Sequence, residues 1–549
     1  MGNKKYVVGV DFGTLSGRAV VVDVANGDEL SESVYEYPHA VMDRELPCGV
    51  KLDDNFALQH PADYIETLSK IIPDAVSKAG LKKEDICGLG IDFTACTLIP
   101  TYEDGTPLCF DEKFKCNPHA YVKLWKHHAA QPEADAINKI AAERGEDWLA
   151  VYGGKVSSEW ALPKIWQTLD EAPEVYEAAD RFTEAADWLS FMLTGVETHA
   201  AVFAGYKALW NAESGYPSGD FCASLDERMR NIVGTKLSEK VLPVNEIAGL
   251  INEKGAEITG LAVGTPLALP MIDAHAALPA LNITADGELV IIMGTSSCHI
   301  INSKKEIKVP GICGYVKDGV VPGYYTYEAG QACVGDGFDR FVKKCVPESY
   351  TAEAKQRDIS IHKLLREKAE KLAPGESGLL CLDWFNGNRS VLVDADLSGM
   401  ILGLTLNTMP EEIYRALIEA TAYGTRMIID TFEQSGIEIK SICACGGIAR
   451  KDAMMMQIYA DVTGREIRIA GTTQAGALGS AIYASVAGGA YGTITEAAEN
   501  ISKPDHSVYH PNLENKKIYD KLYAEYALLH DYFGRGENDV MKRLAALKK

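Results

Sequence analysis

An α/β fold, repeated in two similarly built halves, is what this sequence predicts, and three observations predict it. Strand-like and helix-like periods alternate along the whole chain. Two hairpins share one scheme, an apolar strand, a Gly-Thr turn with small hydroxylic residues and a second strand: YVVGVDFGTLSGRAVVVD at 6–23 and ELVIIMGTSSCHIINS at 288–303. No low-complexity tract or polar linker interrupts the alternation. In order, the strand candidates are Val7 to Val10, Ala19 to Val22, ICGLGID ending at Asp92, TLIPTYE, ELVIIMG ending at Gly294, CHIINS and IKSICACGG. Between them lie the helical periods PADYIETLSKIIPDAVSKAG, PEEIYRALIEATAYGTRMIIDTFEQSG and KDAMMMQIYADVTG, each ending at the glycine a helix C-terminus prefers.

With 549 residues the chain is too long for one core, and 47% hydrophobic with 24% charged residues is the balance of a globular protein of at least two domains. A formal net charge of −23 excludes nonspecific binding to nucleic acid or anionic lipid, both of which need clustered positive charge. A phosphate ligand must then be held locally, by backbone amides, a few basic groups or a metal. Asp11 and Gly13 break the first apolar run, so it is not a signal peptide, and no run of about 18 apolar residues crosses a membrane. A cytoplasmic protein is expected. Thirteen cysteines without CxxC spacing favour reduced thiols; Cys443 and Cys445 read as two small residues on one face of a strand. His127 and His128, being adjacent, cannot chelate together and read as surface or interface residues.

The two Gly-Thr turns suit a polyphosphate. Glycine permits close approach, successive N–H groups form an anion nest and hydroxyls add donors, so Gly13 and Thr14 in the first turn and Gly294 and Thr295 in the second are candidates. Asp11 beside the first turn would repel phosphate unless a cation lies between, which implies Mg2+. The rival signatures are missing: YGGKVSS lacks the glycine and hydroxyl of a GxxxxGK[ST] loop, and no GxGxxG follows a strand.

Together GVDFGT, GTSS and ACGGIARKDAMMMQIYADVTGREI resemble the two phosphate motifs and the adenosine motif of the sugar-kinase, Hsp70 and actin superfold. ALPKIWQTLDEAPEVYEAADRFTEAADWLSFMLTG and AGALGSAIYA are similar to the FGGY carbohydrate kinases. GIDFTACTLIP, KLWKHHAAQPEADAIN, GYKALWN, LPMIDAHAA, GYYTYEAGQACVGDGFDRFV and LDWFNGNRS resemble the branch of that family acting on ketopentoses. The resemblance runs from about residue 6 to residue 490.

It implies two ribonuclease-H-like domains around a central cleft, at 1–275 and 285–490, with an extension at 491–549. It further implies an ATP- and Mg2+-dependent kinase that phosphorylates L-ribulose, with D-ribulose left open as a second acceptor, in L-arabinose catabolism, as a homodimer. Motif by motif, Asp11 is the metal-associated carboxylate, reached through water, and Gly13, Thr14, Gly294 and Thr295 hold phosphate. Gly446 and Gly447 meet the adenosine, Asp273 is the general base, and Ala95, Lys207, Glu328 and Asp92 join Asp273 at the sugar.

Each assignment has a plainer rival. Asp92 could cap a turn, Lys207 could be a solvated lysine, Glu328 half of a structural ion pair, and Asp273 an N-cap. Gln474 stands where many relatives carry an acidic residue and is given no role. Xylulose, glycerol or another polyol stay open as acceptors, and so does a chaperone- or filament-type ATPase on the same superfold.

Overall fold

The structure, a computed structural model, describes residues 6–503 and 507–547. It divides into two units that interleave in sequence. The first takes in residues up to Thr284, Tyr315–Thr326 and Gln474–Lys503; the second takes in Ala285–Gly314, Tyr327–Thr473 and the chain after Lys503.

The first unit is built on a mixed sheet of strands β1 (Tyr6–Phe12), β2 (Ser16–Asp23), β3 (Glu29–Glu36), β4 (Ile86–Phe93), β5 (Ile247–Leu250), β6 (Pro266–Ala268) and β7 (Met271–Ile272). Their order is β5-β6-β4-β1-β2-β3, with β7 also pairing β4. β1 runs antiparallel to β2 and parallel to β4, as the valine runs around a tight turn and a distant third strand require. Val7, Val8, Val10 and Phe12 are all buried, so β1 reads as a continuous apolar run: helices Pro61–Lys78 and Ala475–Ala487 serve this sheet.

Helix Ala475–Ala487 lies unusually low on the sheet. A Cβ on Gly9, Gly88 or Gly90 would stand 1.9, 2.2 and 2.0 Å from the carbonyl oxygens of Ala477, Ala484 and Ser480, and one on Gly479 would stand 1.7 Å from the Ala276 oxygen of helix Asp273–Ala280. Gly9 and Gly90 are register partners on adjacent strands. The glycines form a trough that only a helix of small residues, AGALGSAIYASVA, can enter.

In the second unit the sheet contains β8 (Glu288–Met293), β9 (Ser297–Ser303), β10 (Tyr325–Gln331), β11 (Ser441–Cys445), β12 (Ile467–Ile469) and β13 (Ser507–Tyr509), ordered β10-β9-β8-β11-β12-β13. The hairpin β8–β9 repeats β1–β2, and β11 lies parallel to β8 as β4 does to β1. The last part of the chain belongs to this unit. β13 extends the sheet edge, and helix Leu513–Gly534 carries Tyr519, Tyr523, Tyr526 and His530 on one face. Tyr519 accepts from Arg415 (2.9 Å) and donates to Glu419 (3.0 Å); Tyr523 donates to Asp430 (2.7 Å) and Tyr526 to the buried Asp383 (2.8 Å).

Two expectations fail. Cys48 and Cys116 form a disulfide with Cα atoms 5.9 Å apart, against an all-thiol chain; the other cysteines are free, Cys443 and Cys445 buried on β11 as read. His127 is buried rather than superficial, because its ring accepts from Ala57 N and pairs with Gln167 Oε1 (2.9 Å), whereas His128 is exposed. Among the described residues no helix is long and apolar enough to cross a membrane.

Candidate active site

Three carboxylates gather where neighbouring parallel strands of the first unit end. Asp11 of β1 is the register partner of Asp92 of β4, which is also the partner of Met271 on β7; Asp273 follows β7 directly. Carboxyl ends of parallel strands are where open α/β sheets bind ligands.

Asp92 is fully buried. Its Oδ2 accepts from Ser480 Oγ at 2.6 Å, while Oδ1 has no hydrogen-bond partner. Burial, and after it the charges of Asp11 and Asp273, hold this carboxyl well above the usual range. Asp11 is raised as well, chiefly by burial, against the opposing pull of the adjacent Asp92 carboxyl and the charge of Arg18. Two carboxyl groups so placed keep a proton, on Asp92, or take a cation in its stead. The plainer reading of Asp92 as a turn cap does not hold, since its partner is a serine of a distant helix.

That helix begins at the carboxylates. A Cβ on Gly476 would lie 3.3 Å from Asp11 Oδ2 and from Asp92 Oδ1, so the positive first turn of Ala475–Ala487 abuts both. Gln474, given no role from sequence, accepts from Arg18 and donates to Glu32, tying the helix start to β2 and β3. Asp273 is the first residue of its helix and not the N-cap, which is Ile272; Asp273 Oδ1 accepts from Ala274 N at 2.7 Å.

Next to these, β4 runs into Thr94–Thr97. Ala95 is the only residue from Ile91 to Pro100 that is not buried. Lys207 ends helix Ala201–Lys207 with 7% of its surface exposed, its ammonium 6.0 Å from the Trp160 ring centre and 5.6 Å from that of Tyr206, so it is no solvated surface lysine. Asp11, Gly13, Thr14, Asp92, Ala95, Lys207 and Asp273 thus share the first unit. Thr14 Oγ1 accepts from Trp125 Nε1 (3.2 Å) and its carbonyl from Gln59 (2.7 Å).

Glu328, Gly294, Thr295, Gly446 and Gly447 belong to the second unit. Glu328 is buried on β10. Gly294 and Thr295 are exposed beyond β8, and Gly446 and Gly447 are exposed beyond its parallel neighbour β11. The Thr295 carbonyl accepts from Val334 N (2.8 Å) and the Gly294 carbonyl from Gly335 N (3.1 Å), which pins the turn.

The structure separates glycines that the fold requires from those it does not. Gly446 has φ +99° and a Cβ there would meet Met293 O at 2.2 Å, so the fold alone explains it. Gly447 has nothing within 4 Å, and the Cβ of Gly13 or Gly294 would make ordinary contacts at 3.4 and 3.8 Å. None of these three has a left-handed φ. The sequence argument for Gly13 and Gly294 was close approach to a ligand; neither φ nor crowding by the fold requires glycine at either position. Gly447→Ala is therefore expected to raise the KM for ATP with an unchanged melting temperature, whereas Gly446→Ala lowers the melting temperature; equal melting losses in both would remove Gly447 from the nucleotide site.

A third cluster, His39, His60 and Asp63, brings ligand atoms within 4.8 Å of one another. It does not suit a metal: the imidazoles stack at 4.3 Å and 16°, so their in-plane lone pairs point along separate parallel planes. His39 Nδ1 is already bonded to Asp63 Oδ1 at 2.6 Å.

Comparison with known proteins bears on this arrangement. The N-terminal domain of the FGGY family of carbohydrate kinases matches residues 6–279 and its C-terminal domain residues 289–488. A protein named ribulokinase from Halalkalibacterium halodurans is 52% identical over 549 residues, 99% of this chain and 98% of that one. A ribulokinase from Bacillus licheniformis is 54% identical over 97% of this chain and 98% of its own. Among solved structures, a xylulose kinase from Rhodospirillum rubrum superimposes with TM-score 0.79 at 21% identity, covering 96% of this chain and 98% of that one. Plasmodium falciparum glycerol kinase with ADP gives TM-score 0.75 at 17% identity over 95% and 98%.

Proposed function

The chain belongs to the FGGY family of carbohydrate kinases, and from that premise we propose that it transfers the γ-phosphoryl group of ATP to the terminal hydroxyl of L-ribulose, a step of L-arabinose catabolism. The observation that carries the reading is the set of Asp11, Asp92 and Asp273 at adjacent strand ends, in a chain alike over nearly its whole length to relatives named ribulokinase.

Asp273 orients the attacking hydroxyl and takes its proton, a contribution of about 10²–10⁴-fold. Its place at a helix start and the bond its Oδ1 accepts from Ala274 N fix the carboxylate's orientation. Ala95, Lys207 and Glu328 hold the ketopentose. Gly13, Thr14, Gly294 and Thr295 receive the phosphates, and Gly447 lets the adenosine approach closely. In-line transfer depends on positioning, worth about 7–11 kcal/mol in well-oriented reactions.

The carboxylates of half-buried Asp11 and buried Asp92, the latter with Oδ1 lacking a hydrogen-bond partner, form a hard donor set that fits Mg2+. A cation held there with ATP would neutralise phosphate charge, with Asp11 and Asp92 as its carboxylate holders.

A coupled ADP assay over L-ribulose, D-ribulose, xylulose and glycerol tests the proposal. The highest kcat/KM is expected for L-ribulose; a preference for xylulose or glycerol would reassign the acceptor, and ATP turnover equally fast without sugar would make the protein an ATPase.

A further inference from the structure

Thr94–Thr97 is an unusually constrained loop. Cys96 adopts φ +58°, a region that a residue with a side chain enters at a cost. Its carbonyl oxygen accepts from Lys164 Nζ at 2.6 Å, and the next N–H, of Thr97, donates to Glu184 Oε2 at 2.9 Å. Thr97 Oγ1 turns back to Thr94 O (2.8 Å), and Ala185 N donates to Thr97 O (2.8 Å).

The two side chains that grip this loop are expensive ones to bury. Lys164 is wholly buried and donates only to backbone carbonyls, those of Cys96, Leu124 (2.9 Å) and Lys123 (3.4 Å), with no carboxylate at ion-pair distance among the described residues. Glu184 is buried with Oε1 lacking a hydrogen-bond partner. A position asked only to pack would be better filled by an apolar residue. What both do is fix one peptide, Cys96–Thr97, the second after Ala95, by its carbonyl and by its N–H.

Resting on the reading of Ala95 and Lys207 as sugar contacts, we propose that Glu184 and Lys164 are positioning residues for sugar recognition: they hold the strained loop so that Ala95 faces the sugar. Neither touches the reacting atoms. Glu184 faces Thr97 N–H, Lys164 and Lys207, which favour its ionised form, and Asp187, which opposes it and is paired with His199 at 3.4 Å; burial outweighs the favourable contacts and brings its carboxyl up to about 7. Glu159 adds negative charge near Lys164, and the Cys96 thiol between these groups is pushed up to about 12 by burial and stays neutral. The ionised carboxylate is the stronger acceptor for Thr97 N–H, so the loop loosens as pH falls through about 7.

The test is steady-state kinetics and calorimetric sugar binding on Glu184→Gln, Glu184→Asp and Lys164→Met of the full chain, from pH 6 to 9. Expected are a roughly tenfold rise in the KM and Kd for L-ribulose in Glu184→Gln and Lys164→Met, with the KM for MgATP within about twofold, and partial recovery in Glu184→Asp. In the unmodified enzyme kcat/KM for the sugar should fall below pH 7, and in Glu184→Gln that inflection should vanish. An unchanged sugar KM, or sugar and ATP constants rising together with a lower melting temperature and the inflection retained, would overturn the inference. Should Lys164→Met not fold, the Glu184 pair decides alone. If the enzyme prefers another sugar, the acceptor assignment falls, and the same ratios measured with that sugar still decide this inference.

Discussion

Asp273→Asn is expected to fold, bind MgATP and sugar with near-normal constants, and turn over about 10²–10⁴-fold more slowly, a barrier increase of roughly 3–5 kcal/mol. The substitution keeps the shape and the hydrogen bond to Ala274 N, because an amide oxygen accepts as a carboxylate does; only the proton acceptor is lost. The measurement is single-turnover phosphorylation with calorimetric ligand binding alongside. Near-normal turnover would remove Asp273 as base, and a collapse of sugar binding with little change in turnover would make it a binding residue.

Asp11→Asn should act in opposite directions on stability and on metal use. Both Asp11 and Asp92 have raised folded-state values, so without metal the folded state binds more protons than the unfolded chain, and stability falls as pH rises above the ordinary carboxylate range toward those raised values. Removing one of the two charges is therefore expected to leave the melting temperature of the metal-free protein at neutral pH unchanged or higher and to flatten its pH dependence. The same variant should need about 10–100-fold more Mg2+ for half-maximal activity, with sugar binding preserved. Thermal unfolding with and without Mg2+, and magnesium titration of the kinase reaction, check both arms. A variant less stable without metal and undemanding of Mg2+ would show that Asp11 serves the fold alone.

Much of this was legible locally. The valines of β1 and β2, the turn between them and the echo in β8–β9 are neighbours in sequence, so periodicity found them, and Asp11 stood out as a charge inside an apolar run. Asp92 and Asp273 were visible as carboxylates ending strands, but their convergence depends on β1, β4 and β7 being adjacent, a register that no local pattern carries. Gly476, Ser480 and Gln474 complete the surroundings of Asp11 and Asp92 from more than 380 residues away, as the separation of 388 between Ser480 and Asp92 shows. Their one sequence signal was the run of small residues AGALGS, whose counterpart is the spacing of Gly88 and Gly90 in ICGLGID. Lys164 and Glu184 gave none, since a buried lysine bonded to carbonyls looks like any other lysine in a helical period.

The trough of Gly9, Gly88 and Gly90 also orders events during synthesis. The strands that form it are made first, yet the helix that fills it, Ala475–Ala487, is translated after Ala285–Gly314 and Tyr327–Thr473 of the second unit. Until then an apolar sheet face and the carboxylate of Asp92 stand open to water. A nascent chain halted before residue 474 therefore holds the sheet of the first unit without the helix that covers it.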